Sequence, residues 1–181
     1  MRCMPSSRSF GENRGVIPPI PALRAAGCPI ANGTDNNTND LFEVMRVALL
    51  TERIRRNDPF PGVLPQPEDI LADATLGGAR AVHQETQIGS LEVGKKADLL
   101  VVDTLRAHLV PAGRIASAWI HNGQGSDIES VMIDGQFVMR NRKILTVDEE
   151  RLVAEADKVG KRIWGQVLAG GPLKIPRLPR G

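Results

Sequence analysis

Apolar and polar positions change period twice along the chain. Up to about residue 88 apolar side chains recur at helical spacing, from Lys96 to Arg140 they run in short strands, and beyond Glu149 the helical period returns. Residues 6–21, rich in Ser, Gly, Asn, Arg and Pro, read as a long loop delivered by a strand ending near Cys3. Residues 20–26 form a short helical turn closed by Gly27, and 28–32 a buried strand. Asn39 or Asp40 can cap a helix whose apolar positions are Leu41, Val44, Met45, Ala48 and Leu49, with Arg53, Arg55 and Arg56 in its last turn. Pro67 suits the first turn of a second helix over 68–82, where Gly77-Gly78 invites close packing. The strand unit follows, with predicted strands at 97–102 and 116–121 and a hairpin over 131–140 turning at Asp134-Gly135. A last helix, 149–168, carries Leu152, Ala156, Val159, Ile163 and Val167 on one face. It is expected to cover an apolar surface, and a Pro-spaced basic tail over 172–181 ends the chain.

Composition narrows the class. With 181 residues and 41% hydrophobic content the chain can bury a core. A net charge of +2 and 3% aromatic residues give no basic surface and no base-stacking platform, so nucleic acid is set aside as a partner. No apolar run approaches the roughly 18 residues of a spanning helix, and the first residues lack a signal-peptide pattern, so no membrane partner and a cytoplasmic location are expected. Cys3 and Cys28 have no Cys-x-x-Cys spacing and read as buried thiols rather than zinc ligands or a disulfide.

The candidate chemistry lies at Gly33-Thr34-Asp35, after the apolar run 28–31 and before the polar loop 36–40. An Asp at the carboxyl end of a strand can bind a metal or take a proton. It can equally cap the next helix or make an Asx-turn. Asn36, Asn37 and Asn39 can hydrogen-bond a heterocycle or simply hold the turn. Glu92, Lys95 and Lys96 bracket a turn and read as solvated.

Three blocks in order carry a family likeness: Gly33-Thr34-Asp35, then 40–46 (DLFEVMR), then 74–81 (ATLGGARA). The block 88–99 (IGSLEVGKKADL) is more specific still, and 122–123 with 126–131 leading into Asp134-Gly135 extend the likeness. Together they resemble the amidohydrolase superfamily, in its cytosine deaminase and chlorohydrolase-like branch, which includes S-adenosylhomocysteine deaminase-like proteins. The resemblance implies an α/β fold, the carboxyl-terminal part of a (β/α)8 TIM barrel plus a small β-sandwich. Residues 1–88 would end the barrel, 89–145 belong to the sandwich, and 146–181 form the helix and tail. A complete barrel needs about 250 residues, so the front of the family's chain is expected to be missing.

By the same resemblance Asp35 is both metal ligand and catalytic residue, moving the proton of the attacking water, and Asn36 is a substrate contact. A divalent metal is implied, zinc first and iron second. The implied reaction is hydrolytic deamination, or related C–N or C–Cl hydrolysis, of a small N-heterocyclic substrate such as a purine, pyrimidine or triazine. The family's His-x-His does not occur here, and His83, His108 and His121 are scattered and are assigned to no metal. The expected partners are therefore the missing barrel portion or a companion chain, together with further copies in a homo-oligomer. The rival expectation is an inactive structural or assembly module.

Overall fold

A computed structural model describes residues 18–34, 38–57, 64–111 and 113–170. The chain divides into two compact units, Met1–Arg142 and Lys143–Gly181.

The first unit opens with helix α1, Ile20–Ala25, started by prolines and closed by Gly27 at φ 73°. Beyond it Ile30 and Ala31 are buried, but Ile30 and Gly33 make only isolated bridge pairs instead of the expected strand. A strand is defined by its neighbours' ladders, and the described residues supply too few. Helix α2, Leu41–Arg56, begins at Asp40, whose carboxylate accepts the Phe42 N–H at 2.8 Å, and ends at Asn57 in the left-handed region. It buries Phe42, Val44, Met45, Ala48 and Leu49, while Leu41 stays partly exposed.

The second expected helix is composite. Helix α3, Pro67–Ala72, passes into a π turn, Asp73–Gly77, and then into α4, Gly78–Ala81. Pro67 occupies its first turn, where no N–H is missed, and Asp69 accepts from the Gln66 N–H at 2.8 Å. Gly77 touches the backbone ahead of the Gly33 turn: a Cβ there would lie 2.1 Å from the Ile30 carbonyl oxygen. Gly78 has open space around it.

Strands β1, Leu99–Val102, β2, Ile128–Ile133, and β3, Gln136–Arg140, form an antiparallel sheet. Leu100 faces Val131, and Val131 faces Met139. The β2–β3 turn uses Asp134 at φ 51° and Gly135 at φ 79°, the pair of positive values that a two-residue hairpin requires.

The stretch expected as a strand at 116–121 is instead helix α5, Ile115–Asn122, followed by a 3₁₀ turn, Gly125–Asp127. A short apolar run does not declare its period. Tertiary packing decides it: Ile120 is fully buried with Phe42, Met45, Ala48, Leu49 and Ile70, while Trp119, one position earlier, lies against the same cluster with Leu71, Ala74 and Ile128. That arrangement needs adjacent side chains on one side of the backbone, which a helix supplies and a strand does not.

The second unit holds a two-residue strand, β4, Lys143–Ile144, and helix α6, Glu149–Leu168, capped by Asp148 accepting from the Arg151 N–H at 3.0 Å. None of its residues is buried. No helix among the described residues is long and apolar enough to cross a membrane.

Candidate active site

The expected catalytic residue Asp35 and the expected substrate contact Asn36 lie outside the described residues, between Thr34 and Thr38. What the structure does place is the frame on both sides of them. Before the turn, the Asn32 side-chain amide donates to the Ile70 carbonyl at 3.3 Å, and its own oxygen is buried without a hydrogen bond among the described residues. An unpaired buried acceptor is costly, so this oxygen is poised to receive a donor.

After the turn, the Asp40 N–H donates to the Thr38 hydroxyl at 3.1 Å. The second carboxylate oxygen of Asp40 accepts the Gly125 N–H at 3.0 Å. One turn further along α2, Arg46 donates to the carbonyls of His121 and Gly123 at 2.7 and 2.6 Å. Two charged side chains thus tie the start of α2 to the segment between α5 and β2. Gly123 allows this approach, since a Cβ on it would sit 3.0 Å from the Phe42 ring and 2.6 Å from the Trp119 carbonyl.

A cavity of about 250 Å³ opens beside this tie. Asn39, Asp40 and Thr75 give it polar edges; Phe42, Leu71 and Trp119 are among the apolar residues lining it. The Trp119 indole N–H is buried without an acceptor among the described residues. Sequence reasoning missed this cavity because its walls come from α2, the α3 and π-turn segment, β1, α5 and β2, which no spacing links.

A second polar feature lies across α1, α2 and the π turn. Arg24 donates to both oxygens of Glu52, at 3.3 and 2.9 Å, and to both of Asp73, at 3.1 and 2.7 Å. Arg56 reaches Glu52 at 2.8 Å. Burial alone would make the Arg24 guanidinium less basic, yet its hydrogen bonds to Asp73 and Glu52 prevail and hold it firmly charged. Burial raises the Asp73 carboxyl above its ordinary value, and Arg24 offsets that only in part.

The histidines are dispersed. His108 Nε2 lies 2.8 Å from the buried Asp127 carboxylate, His121 Nδ1 donates to the Ser117 carbonyl at 2.9 Å, and His83 follows α4 at φ 60°. Among the described residues no three of His, Cys, Asp or Glu converge as a metal site would require. Cys28 is a free thiol, half-buried where full burial was expected. Lys95 departs from its expected solvation: its side chain is 13% exposed and donates to Ser90 at 2.7 Å while pairing with Glu92 at 3.1 Å.

Residues 4–138 match the model of the Amidohydrolase family. The 5-methylthioadenosine/S-adenosylhomocysteine deaminase of Desulforudis audaxviator is 38% identical over 151 residues, covering 81% of this chain and 34% of that protein. The 5'-deoxyadenosine deaminase of Methanosarcina barkeri is 35% identical over 157 residues, covering 84% and 35%. The chain spans about a third of the length of the curated relatives it matches. Among solved structures, an adenosine deaminase from Xanthomonas campestris with bound zinc superposes with a TM-score of 0.83 at 30% identity, over 91% of this chain and 38% of that one. Atrazine chlorohydrolase from Arthrobacter aurescens in complex with zinc follows at 0.68 and 26%, over 77% and 31%.

Proposed function

This chain belongs to the amidohydrolase family, and we propose that it is the carboxyl-terminal part of a metal-dependent hydrolase that deaminates a nitrogen heterocycle. In this reading residues 1–88 end a (β/α)8 barrel, 89–145 contribute to a β-sandwich, and 146–181 form the terminal helix and tail. The observation that carries it is the 38% identity over 151 residues to a deaminase of adenosine derivatives. An adenine nucleoside is therefore the first substrate class, and a chlorinated triazine, by likeness to the chlorohydrolase, the second.

Asp35 is the residue proposed to do proton work. It accepts a proton from the attacking water and returns it to the amine nitrogen as the C–N bond breaks, so one carboxylate serves as base and then acid. Asn36 hydrogen-bonds the heterocycle. The described residues do not fit a complete metal site, since no three candidate ligands converge. Zinc is favoured by neighbours that contain it, with Asp35 as one ligand and imidazoles of the barrel portion that this chain does not span as the others.

That same observation favours a second reading, in which the chain is inactive alone and acts as a module awaiting a companion. The experiment is an ammonia-release assay with adenosine and 5'-deoxyadenosine. It uses the 181-residue chain alone and mixed with the amino-terminal two-thirds of a related deaminase. Turnover in the mixture that disappears on Asp35→Asn supports the enzyme reading. No turnover in either, with a stable complex formed, supports the module.

A further inference from the structure

The segment leading to Gly33-Thr34-Asp35 is seated on the composite helix at two points. At Ile30 the seat is backbone, since Gly77 comes so near that a Cβ on it would lie 2.1 Å from the Ile30 carbonyl oxygen. At Asn32 it is the side-chain amide, which donates to the Ile70 carbonyl at 3.3 Å. Between Ile70 and Gly77 runs the π turn, Asp73–Gly77. Such turns are rare inside helices and recur at functional sites. This one is braced from both directions of the chain. Arg24 of α1, which precedes the seated segment, holds Asp73, and the same guanidinium holds Glu52 of α2, which follows it.

Asn32 is a poor choice for stability alone. Its Oδ1 is buried with no hydrogen bond among the described residues, a cost that an apolar side chain would not carry. Nor does its acceptor need it, because the Ile70 carbonyl already receives the Asp73 N–H. A leucine, with as many side-chain heavy atoms, would occupy the place with neither defect. What the amide adds is direction. A hydrogen bond fixes a residue's lateral position and rotation, whereas apolar packing is non-directional.

We propose that Asn32 is a positioning residue for the Asp35 carboxylate. The inference rests on the reading of Asp35 as the group that moves the proton. Three residues of chain reach at most about 11 Å, so a slip of Asn32 along the helix passes to Asp35 with little backbone to absorb it. A misplacement of about 1 Å can cost a reaction about 10²-fold. Asn32 sets the seat from the strand side, and Gly77 allows it from the helix side.

The test compares the parent, Asn32→Leu, Asn32→Gln and Asp35→Asn. Each is the full 181-residue chain mixed with the amino-terminal two-thirds of a related deaminase, assayed for ammonia release from adenosine and 5'-deoxyadenosine. Thermal unfolding of each chain is followed by circular dichroism. Asn32→Leu is expected to melt no lower than the parent, to keep KM and to lose about tenfold in kcat. Asn32→Gln, which keeps a donating amide, should recover part of that loss. A purely structural role would lower melting and kcat together, and that result overturns the inference. So does Asn32→Leu at the parent kcat while Asp35→Asn is inactive, which leaves the reading of Asp35 standing. Asp35→Asn at the parent rate, or a parent mixture without turnover, removes that reading and this inference with it.

Discussion

Asp40 and Gly125 are joined across 85 positions of sequence by one hydrogen bond of 3.0 Å, from the glycine N–H to the carboxylate that also caps α2. A single side chain therefore begins a helix and fastens the turn leading to β2. Asp40→Ala should lower stability by about 1–3 kcal/mol, combining a lost cap with an unpaired backbone donor. Asp40→Ser should recover roughly the cap portion, since a hydroxyl can cap but is too short to bridge. Urea unfolding of the three proteins, ordered parent, Ser, Ala, checks this; equal losses for Ser and Ala would assign the whole effect to the bridge.

Neighbouring glycines should behave oppositely. At Gly77 a methyl group would collide with the Ile30 carbonyl, whereas at Gly78, in helical conformation with φ −58°, it meets nothing. Gly77→Ala is expected to cost more than about 3 kcal/mol, in the range kept for severe backbone clashes. Gly78→Ala should gain about 0.5–1 kcal/mol from helix propensity. Thermal unfolding of both variants would settle the pair.

Much of this framework was readable in the sequence, for physical reasons that also explain where reading failed. The α2 stripe and the Asp134-Gly135 hairpin are local codes: helical spacing fixes one, and positive φ at two residues fixes the other. Helix α5 was misread because eight residues with a central apolar run carry no period, and only the pocket that receives Ile120 selects the helix. Lys95 was misread because a charge beside a turn looks solvated until Ser90 and Glu92 close around it. The cavity and the Arg24 cluster were invisible for a different cause. Their members, such as Arg24 and Asp73, lie 49 positions apart and meet only after the helices dock. Asp35 was singled out by its neighbours in sequence, and its surroundings are not among the described residues.

Acid should loosen the loop after β1. The Asp103 carboxyl lies below its ordinary value because the Leu105 N–H and then the Arg142 guanidinium, at 3.1 and 2.9 Å, stabilise its charge. A depressed folded value means the contribution is present above the ordinary carboxylate range and is lost as pH falls through the folded value. Asp103→Asn should therefore lower the melting temperature at neutral pH and match the parent once both are well below that value. A difference between the two proteins that stays constant with pH would contradict the assignment.

The isolated chain should bind zinc weakly at most, because one carboxylate without imidazole partners is a poor site. Titration calorimetry giving a tight one-to-one site abolished by Asp35→Ala would contradict this. In the assembled enzyme, Asp35→Asn should reduce turnover by at least about 10²-fold, the size of lost acid–base help. Asn36→Ala should mainly raise KM. Turnover near the parent rate in a metal-loaded Asp35→Asn protein would remove Asp35 from the reaction.

The Arg24 cluster also has a bearing on time. Arg24 lies 28 positions from Glu52 and 49 from Asp73, so its four hydrogen bonds exist only where α1, α2 and the π turn are docked together, and the expectation is that they close late. Contacts that close late are absent from the folding transition state, and their loss appears in the rate of opening. Arg24→Leu should leave the refolding limb of a chevron nearly unchanged and steepen escape from the native state. The guanidinium then acts as a latch on how long the fold persists once made.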